Sequence, residues 1–251
     1  MIAVYADSES LGRAAAQLFA SKAQGAVEAG RFFSVALAGG GTPTRTYELL
    51  ATRPLRDEIP WERVHVFWGD ERCVPVDDPR SNVRMARDAL LEHVPIPEVN
   101  IHPPSCVGAP ARGASRYEAE LRDFFASMAP RFDLVLLGLG EDGHTASLFP
   151  HAHALDETER WVAEVYMAEQ DLFRVTFTAS LINRAALVAF LVSGQAKAET
   201  LREVLEGPRQ PRRWPAQLIA PVEGELYWLV DQAAASRLSR GHMDTEGRAG
   251  T

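Results

Sequence analysis

The chain has 251 residues, 46% of them hydrophobic and 24% charged, with a formal net charge of −8. That length suits one large α/β domain or two small ones, and the composition is that of an ordinary globular protein. The acidic balance excludes a general binder of nucleic acid or of anionic membrane surfaces, and no apolar run approaches the roughly 20 residues that span a bilayer.

Residues 2–6 (IAVYA) read as a first strand, with no basic and apolar lead of the kind that marks a signal peptide. Apolar positions at helical spacing follow over 9–29, with Asp7 or Ser8 as N-cap. Residues 32–50 run strand, glycine turn, helix. The turn, AGGGTPT (38–44), lets backbone N–H groups approach an anion closely, and Pro43 suits the first helical position. Gly40, Gly41 and Thr42 are therefore candidate phosphate-binding residues. No Gly-Lys-Ser/Thr follows, so this is not a Walker loop.

Residues 63–75 (RVHVFWGDERCVP) give a strand that ends in a charged loop. Arg72 can clamp a phosphate or carboxylate by paired hydrogen bonds, and Asp70 can orient a partner or act as a base. A helix is expected over 81–94, capped by Ser81 or Asn82, then a proline-rich loop over 95–110 and a helix over 111–127. Cys73 and Cys106 stand in no C-x-x-C pair. A disulfide framework is not expected, Cys73 reads as structural, and a reducing cytoplasm is the simplest home.

The unbroken apolar run of 132–140 is a buried strand. It leads into Gly138-x-Gly140-x-x-Gly143, which matches the dinucleotide fingerprint. That fingerprint needs a long helix after its third glycine. Here Pro150 arrives within two turns, and Glu141 and Asp142 would turn two carboxylates towards a pyrophosphate, so the match is accidental. His144 is the residue of interest: a neutral imidazole is the natural base near neutral pH, and Asp142 or Glu141 can fix its tautomer. No Gly-x-Ser-x-Gly elbow is present, and no H-E-x-x-H or cysteine pair supports a zinc set of His144, His151 and His153.

Residues 161–167 and 173–180 alternate as an antiparallel strand pair, and 186–194 is a further buried strand. Lys197 follows it in the first turn of a helix over 195–205, where the helix dipole disfavours a cation. Of 26 basic residues 24 are arginines and only Lys22 and Lys197 are lysines, so this one points to a phosphate partner. Residues 225–231 form the last strand, 231–238 a short helix, and 239–251 a polar tail expected to fray.

Strands alternating with helices predict a Rossmann-like, mostly parallel sheet with helices on both faces and a small antiparallel strand pair, in one domain over 1–238. The chemistry then gathers beyond the carboxyl ends of the strands, at 39–43, 70–72, 141–144 and 193–197.

Together, ALAGGGTPTRTYELL, VFWGDERCVPVDDPRSN, FDLVLLGLGEDGHTASLFP and LVSGQAKAETL resemble the 6-phosphogluconolactonase family in order and spacing. The resemblance implies hydrolysis of 6-phospho-D-glucono-1,5-lactone, with His144 as general base and Arg72 and Lys197 near the phosphate. It implies Asp70, Asp142 and Asn82 as the polar surround, and neither metal nor organic cofactor. The related glucosamine-6-phosphate deaminases carry a glutamate a few residues after the histidine, where this chain reads Ser147-Leu148-Phe149. That favours the lactonase over the deaminase; the other rival, a non-enzymatic sugar-phosphate sensor on the same fold, needs the anion site but not His144 and usually adds a DNA-binding segment, which is not seen here. A cytoplasmic enzyme acting on a small phosphorylated sugar lactone, without nucleic-acid or membrane partners and as a monomer, is the expectation.

Overall fold

The computed structural model describes residues 1–126 and 130–239, so residue 127 of the expected helix and the tail from 240 onward lie outside the described residues. The strands are β1 (Ile2–Tyr5), β2 (Phe33–Leu37), β3 (Val64–Trp68), β4 (Asp70–Arg72), β5 (Leu134–Leu137), β6 (Val162–Met167), β7 (Leu172–Phe177), β8 (Leu187–Val192) and β9 (Glu225–Asp231). The α-helices are α1 (Ser8–Glu28), α2 (Gly41–Leu50), α3 (Leu55–Glu58), α4 (Asn82–Ala86), α5 (Pro110–Phe124), α6 (Ala179–Ile182), α7 (Ala198–Leu205) and α8 (Gln232–Ala235). Six strands pair in parallel in the order β1-β9-β8-β5-β2-β3. None of the described helices is long and apolar enough to cross a membrane.

Both faces of this sheet are covered, which is why its central strands read as unbroken apolar runs. Side chains alternate across a strand, so Leu134 and Leu136 of β5 join one core while Val135 and Leu137 join the other. The first core takes Leu11 and Phe19 of α1, Tyr47 and Leu50 of α2 and Val83 of α4. The second takes Tyr117 and Leu121 of α5, Leu201 of α7 and Ala234 of α8.

Two buried tyrosines finish neighbouring strands. The Tyr47 hydroxyl donates to Ala38 O (2.9 Å) and accepts from Ala38 N (3.0 Å), just past β2. The Tyr117 hydroxyl donates to Trp68 O (3.2 Å) and accepts from Trp68 N (2.9 Å), at the end of β3. Each satisfies a backbone pair that sheet pairing leaves open, and fixes the point from which a loop departs.

Three sequence expectations change. Asp70–Arg72, read as a charged loop, is strand β4, the third strand of an antiparallel sheet in the order β4-β7-β6. Charge hid it: Asp70 and Arg72 share one side of the ribbon and Glu71 takes the other, as the period of two requires. Helix α2 begins at Gly41, two residues before Pro43. The helix expected over 81–94 is α4 continued by a π-helical turn, Arg87–Leu91.

The cysteines depart furthest from expectation. Cys73 and Cys106 form a disulfide with their Cα atoms 5.0 Å apart. It ties the segment after β4 to the loop before α5, a meeting that sequence spacing does not encode. A bridge between residues 33 apart contributes about 3–4 kcal/mol through the unfolded chain. Reduction is therefore expected to lower the melting temperature by about 10 °C. Melts with and without dithiothreitol, each with a thiol titration, check this; equal midpoints after a verified gain of two thiols would refute it.

Candidate active site

Because β2, β3, β5 and β8 run parallel, all four end at one edge of the sheet. From β2 and β5 the strand order runs outward in opposite directions, which opens a crevice at their carboxyl ends. The hollow there has a volume of 220 Å³, and Gly39, Gly40, Asp70, Arg72, Asn82, Gly140, His144, Arg174 and Lys197 are among its walls. The four chain segments singled out in the sequence thus meet at one place.

One wall is the loop after β5. Gly140 N donates to His144 O (2.8 Å) and Gly143 N to Gly140 O (3.1 Å), while the Thr145 hydroxyl donates to Gly138 O (2.9 Å). Gly143 has φ +82° and packs against Trp214. No helix opens after Gly143, as the reading of the accidental fingerprint requires.

The loop delivers His144. Its Nδ1 lies 2.5 Å from Asp142 Oδ1, which also accepts from His144 N (3.1 Å). The ring rests on the Gly140 backbone, where a Cβ would stand 2.1 Å from Nδ1. Phe149 packs against the ring at 4.4 Å between centroids. Burial pushes the Asp142 carboxyl up, but the hydrogen bond and charge of His144 outweigh it and leave it below its usual range. Asp142 is therefore an anion that holds one ring nitrogen, which leaves Nε2 for a substrate or water.

The facing wall is cationic. Arg72 Nη1 donates to Arg80 O (2.6 Å), and Arg72 Nε is buried with no hydrogen-bond partner among the described residues. Arg174 lies opposite Arg72 in the β4–β7 register. It is 7% exposed, with Nη1 3.8 Å from Asp70 Oδ2, Nη2 donating to Gln170 Oε1 (2.9 Å) and Nε again without a partner. Burial pulls the Arg174 guanidinium down and the neighbouring Asp70 carboxylate pulls it back up. Lys197 Nζ is 3.7 Å from Glu141 Oε1, an exposed carboxylate that holds it only weakly.

Of the acids proposed from sequence, Asp142 touches the imidazole. Asp70 has a different place: it accepts from the Ser147 hydroxyl (2.6 Å) and from Asn82 Nδ2 (3.3 Å), and faces Arg174. Asn82 also donates to Asp70 O (3.0 Å) and lies so close to Gly39 that a Cβ there would stand 2.0 Å from its Oδ1. Gly40 lines the hollow, whereas Gly41 and Thr42 are not among its walls, and the Thr42 hydroxyl pairs with Ser193 Oγ at 2.8 Å. Among the described residues no group of three or more His, Cys, Asp or Glu side chains stands where it could hold a metal ion.

Sequence reasoning missed Arg174. The available signal was its parity: in LFRVTF it takes the side of Leu172 and Thr176, both buried. A charge on the buried side of a strand needs a partner or a ligand.

The model of the family described as glucosamine-6-phosphate isomerases/6-phosphogluconolactonase matches residues 6–228. A 6-phosphogluconolactonase of Synechocystis is 51% identical over 209 residues, which cover 82% of this chain and 84% of that one. Another, of Nostoc, is 41% identical over 243 residues, 95% of this chain and 98% of that one. Among solved structures, 6-phosphogluconolactonase from Trypanosoma brucei matches with a TM-score of 0.82 and 30% identity, over 95% of this chain and 98% of that one. A monomeric glucosamine-6-phosphate deaminase matches with a TM-score of 0.80 at 23% identity, a likeness that speaks for the fold alone.

Proposed function

The chain belongs to the glucosamine-6-phosphate isomerase/6-phosphogluconolactonase family, and on that premise we propose that it hydrolyses 6-phospho-D-glucono-1,5-lactone to 6-phospho-D-gluconate, a step of the oxidative pentose phosphate pathway. The observation that carries this reading is the meeting of Arg72, Arg174 and Lys197 around one hollow with a histidine oriented by a carboxylate. Three cationic side chains at one hollow call for an anion, and a phosphate offers them several acceptors.

A lactone is an activated ester, so water can attack it directly. His144 Nε2 removes a proton from the water as its oxygen bonds to C1. Asp142 stabilises the resulting imidazolium through Nδ1. The C1–ring oxygen bond then breaks, and the imidazolium returns the proton to the departing oxygen, which opens the ring to the acid. Gly140 and Gly143 have their N–H groups engaged inside the loop, so the guanidinium of Arg72, which lines the hollow, is a better donor to the developing oxyanion or to the phosphate. Phosphate binding at the cationic wall anchors the substrate in the hollow.

The decisive assay is hydrolysis of the 6-phosphorylated lactone against its spontaneous decay. A rate no higher than that decay would overturn the reading, and ammonia release from glucosamine 6-phosphate would replace it with the deaminase. Ser147, which donates to Asp70, supplies no acid of the kind a deaminase uses. Lys197→Ala is expected to raise KM about tenfold with kcat little changed, since a phosphate remote from C1 contributes mostly uniform binding. A collapse of kcat at unchanged KM would move Lys197 into the chemistry.

A further inference from the structure

Glu71 lies outside the hollow, on the opposite side of β4 from Asp70 and Arg72, and is 3% exposed. Its carboxylate accepts four hydrogen bonds. Oε1 takes Arg72 N (2.7 Å) and Asn82 N (2.8 Å); Oε2 takes the Ser81 hydroxyl (2.9 Å) and Val83 N (2.8 Å). Asn82 and Val83 open α4, so their N–H groups have no acceptor within the helix. One side chain therefore joins the strand that carries Arg72 to the helix that begins with Asn82.

The consequences reach the site by two routes. Asn82, held by its own backbone N–H, places its amide on Asp70, and Asp70 faces Arg174. The segment between Glu71 and Ser81 is closed into a loop whose last carbonyl, Arg80 O, receives Arg72 Nη1. Both arginines that line the hollow are thus aimed through contacts that begin at Glu71.

We propose that Glu71 is a positioning residue for phosphate recognition: its carboxylate fixes Arg72 directly and Arg174 through Asn82 and Asp70, and it sets affinity for the phosphorylated end of the substrate, not the rate at C1. This rests on the reading of the hollow given above. The environment of Glu71 is made of donors. An amide in its place turns an NH2 group towards backbone N–H groups that cannot reverse, so glutamine is a poor replacement and a shorter carboxylate a better one. His144 and Asp142 lie on the loop after β5 and make none of these contacts.

The test compares Glu71→Gln and Glu71→Asp with the wild type in steady-state lactone hydrolysis and in calorimetric binding of inorganic phosphate. Glu71→Gln is expected to raise KM and the phosphate Kd together by about tenfold or more, with kcat within about threefold. Glu71→Asp is expected to fall between it and the wild type. If Glu71→Gln does not fold, judged by circular dichroism, Glu71→Asp decides alone through the same paired rise. Unchanged KM and phosphate Kd in a folded variant would overturn the proposal, as would a loss confined to kcat. Should the wild type not hydrolyse the lactone, the functional reading fails, while the phosphate Kd of each variant still decides the role of Glu71.

Discussion

Replacing His144 by alanine is expected to lower kcat by about 10²–10⁴ while leaving affinity for 6-phosphogluconate within a few-fold. The split follows from where the parts are attached. The base sits on the loop after β5, with Nδ1 engaged by Asp142 and one side of its ring against Phe149. The groups assigned to the phosphate come from β4, β7 and the turn after β8. Truncating the imidazole deletes the proton acceptor and leaves the cationic wall intact. Steady-state kinetics corrected for spontaneous hydrolysis, with product binding by calorimetry, measure both halves. A kcat equal to that of the wild type would remove His144 from the chemistry.

Gly140→Ala is expected to cost nearly as much, although it removes no functional group. The added methyl carbon would stand 2.1 Å from His144 Nδ1, 2.3 Å from its Cε1 and 2.6 Å from Asp142 Oδ1. Contacts below about 3 Å force something to shift, and the atoms in the way are the catalytic pair itself. Gly140 is not among the positive-φ glycines, so alanine costs little in backbone conformation. The strain therefore falls on the side chains: the imidazole must leave its place, and misplacement by about 1 Å costs on the order of 10²-fold in rate. The expected result is a folded protein with native phosphate affinity and a kcat reduced by about 10² or more. A variant as active as the wild type would mean that the ring works from another position.

Much of this site could be read from the chain because its residues cluster where strands end. Apolar runs announced β2, β3, β5 and β8, and glycines or charges marked the turn after each. His144, Arg72 and Lys197, each just past a strand of the parallel sheet, share one hollow. What stayed hidden depends on contacts across the chain. Arg174 sits in a strand whose pattern looks ordinary until β4 pairs with it and sets it opposite Arg72. Asp70 looks like a base until Ser147 and Asn82 are seen to bond to it. Cys73 and Cys106 have nothing in their sequence neighbourhoods to bring them together; the packing of two loops does that.

The sheet order has a consequence for the way the protein is made. Of the described strands β1 is the first to be translated, yet its partner in the sheet is β9, the last of them. Until residues 225–231 have been translated, the opening strand has no neighbour, and one flank of the nascent sheet stays without its cover. The sheet closes on its earliest strand, so its completion waits for the translation of β9.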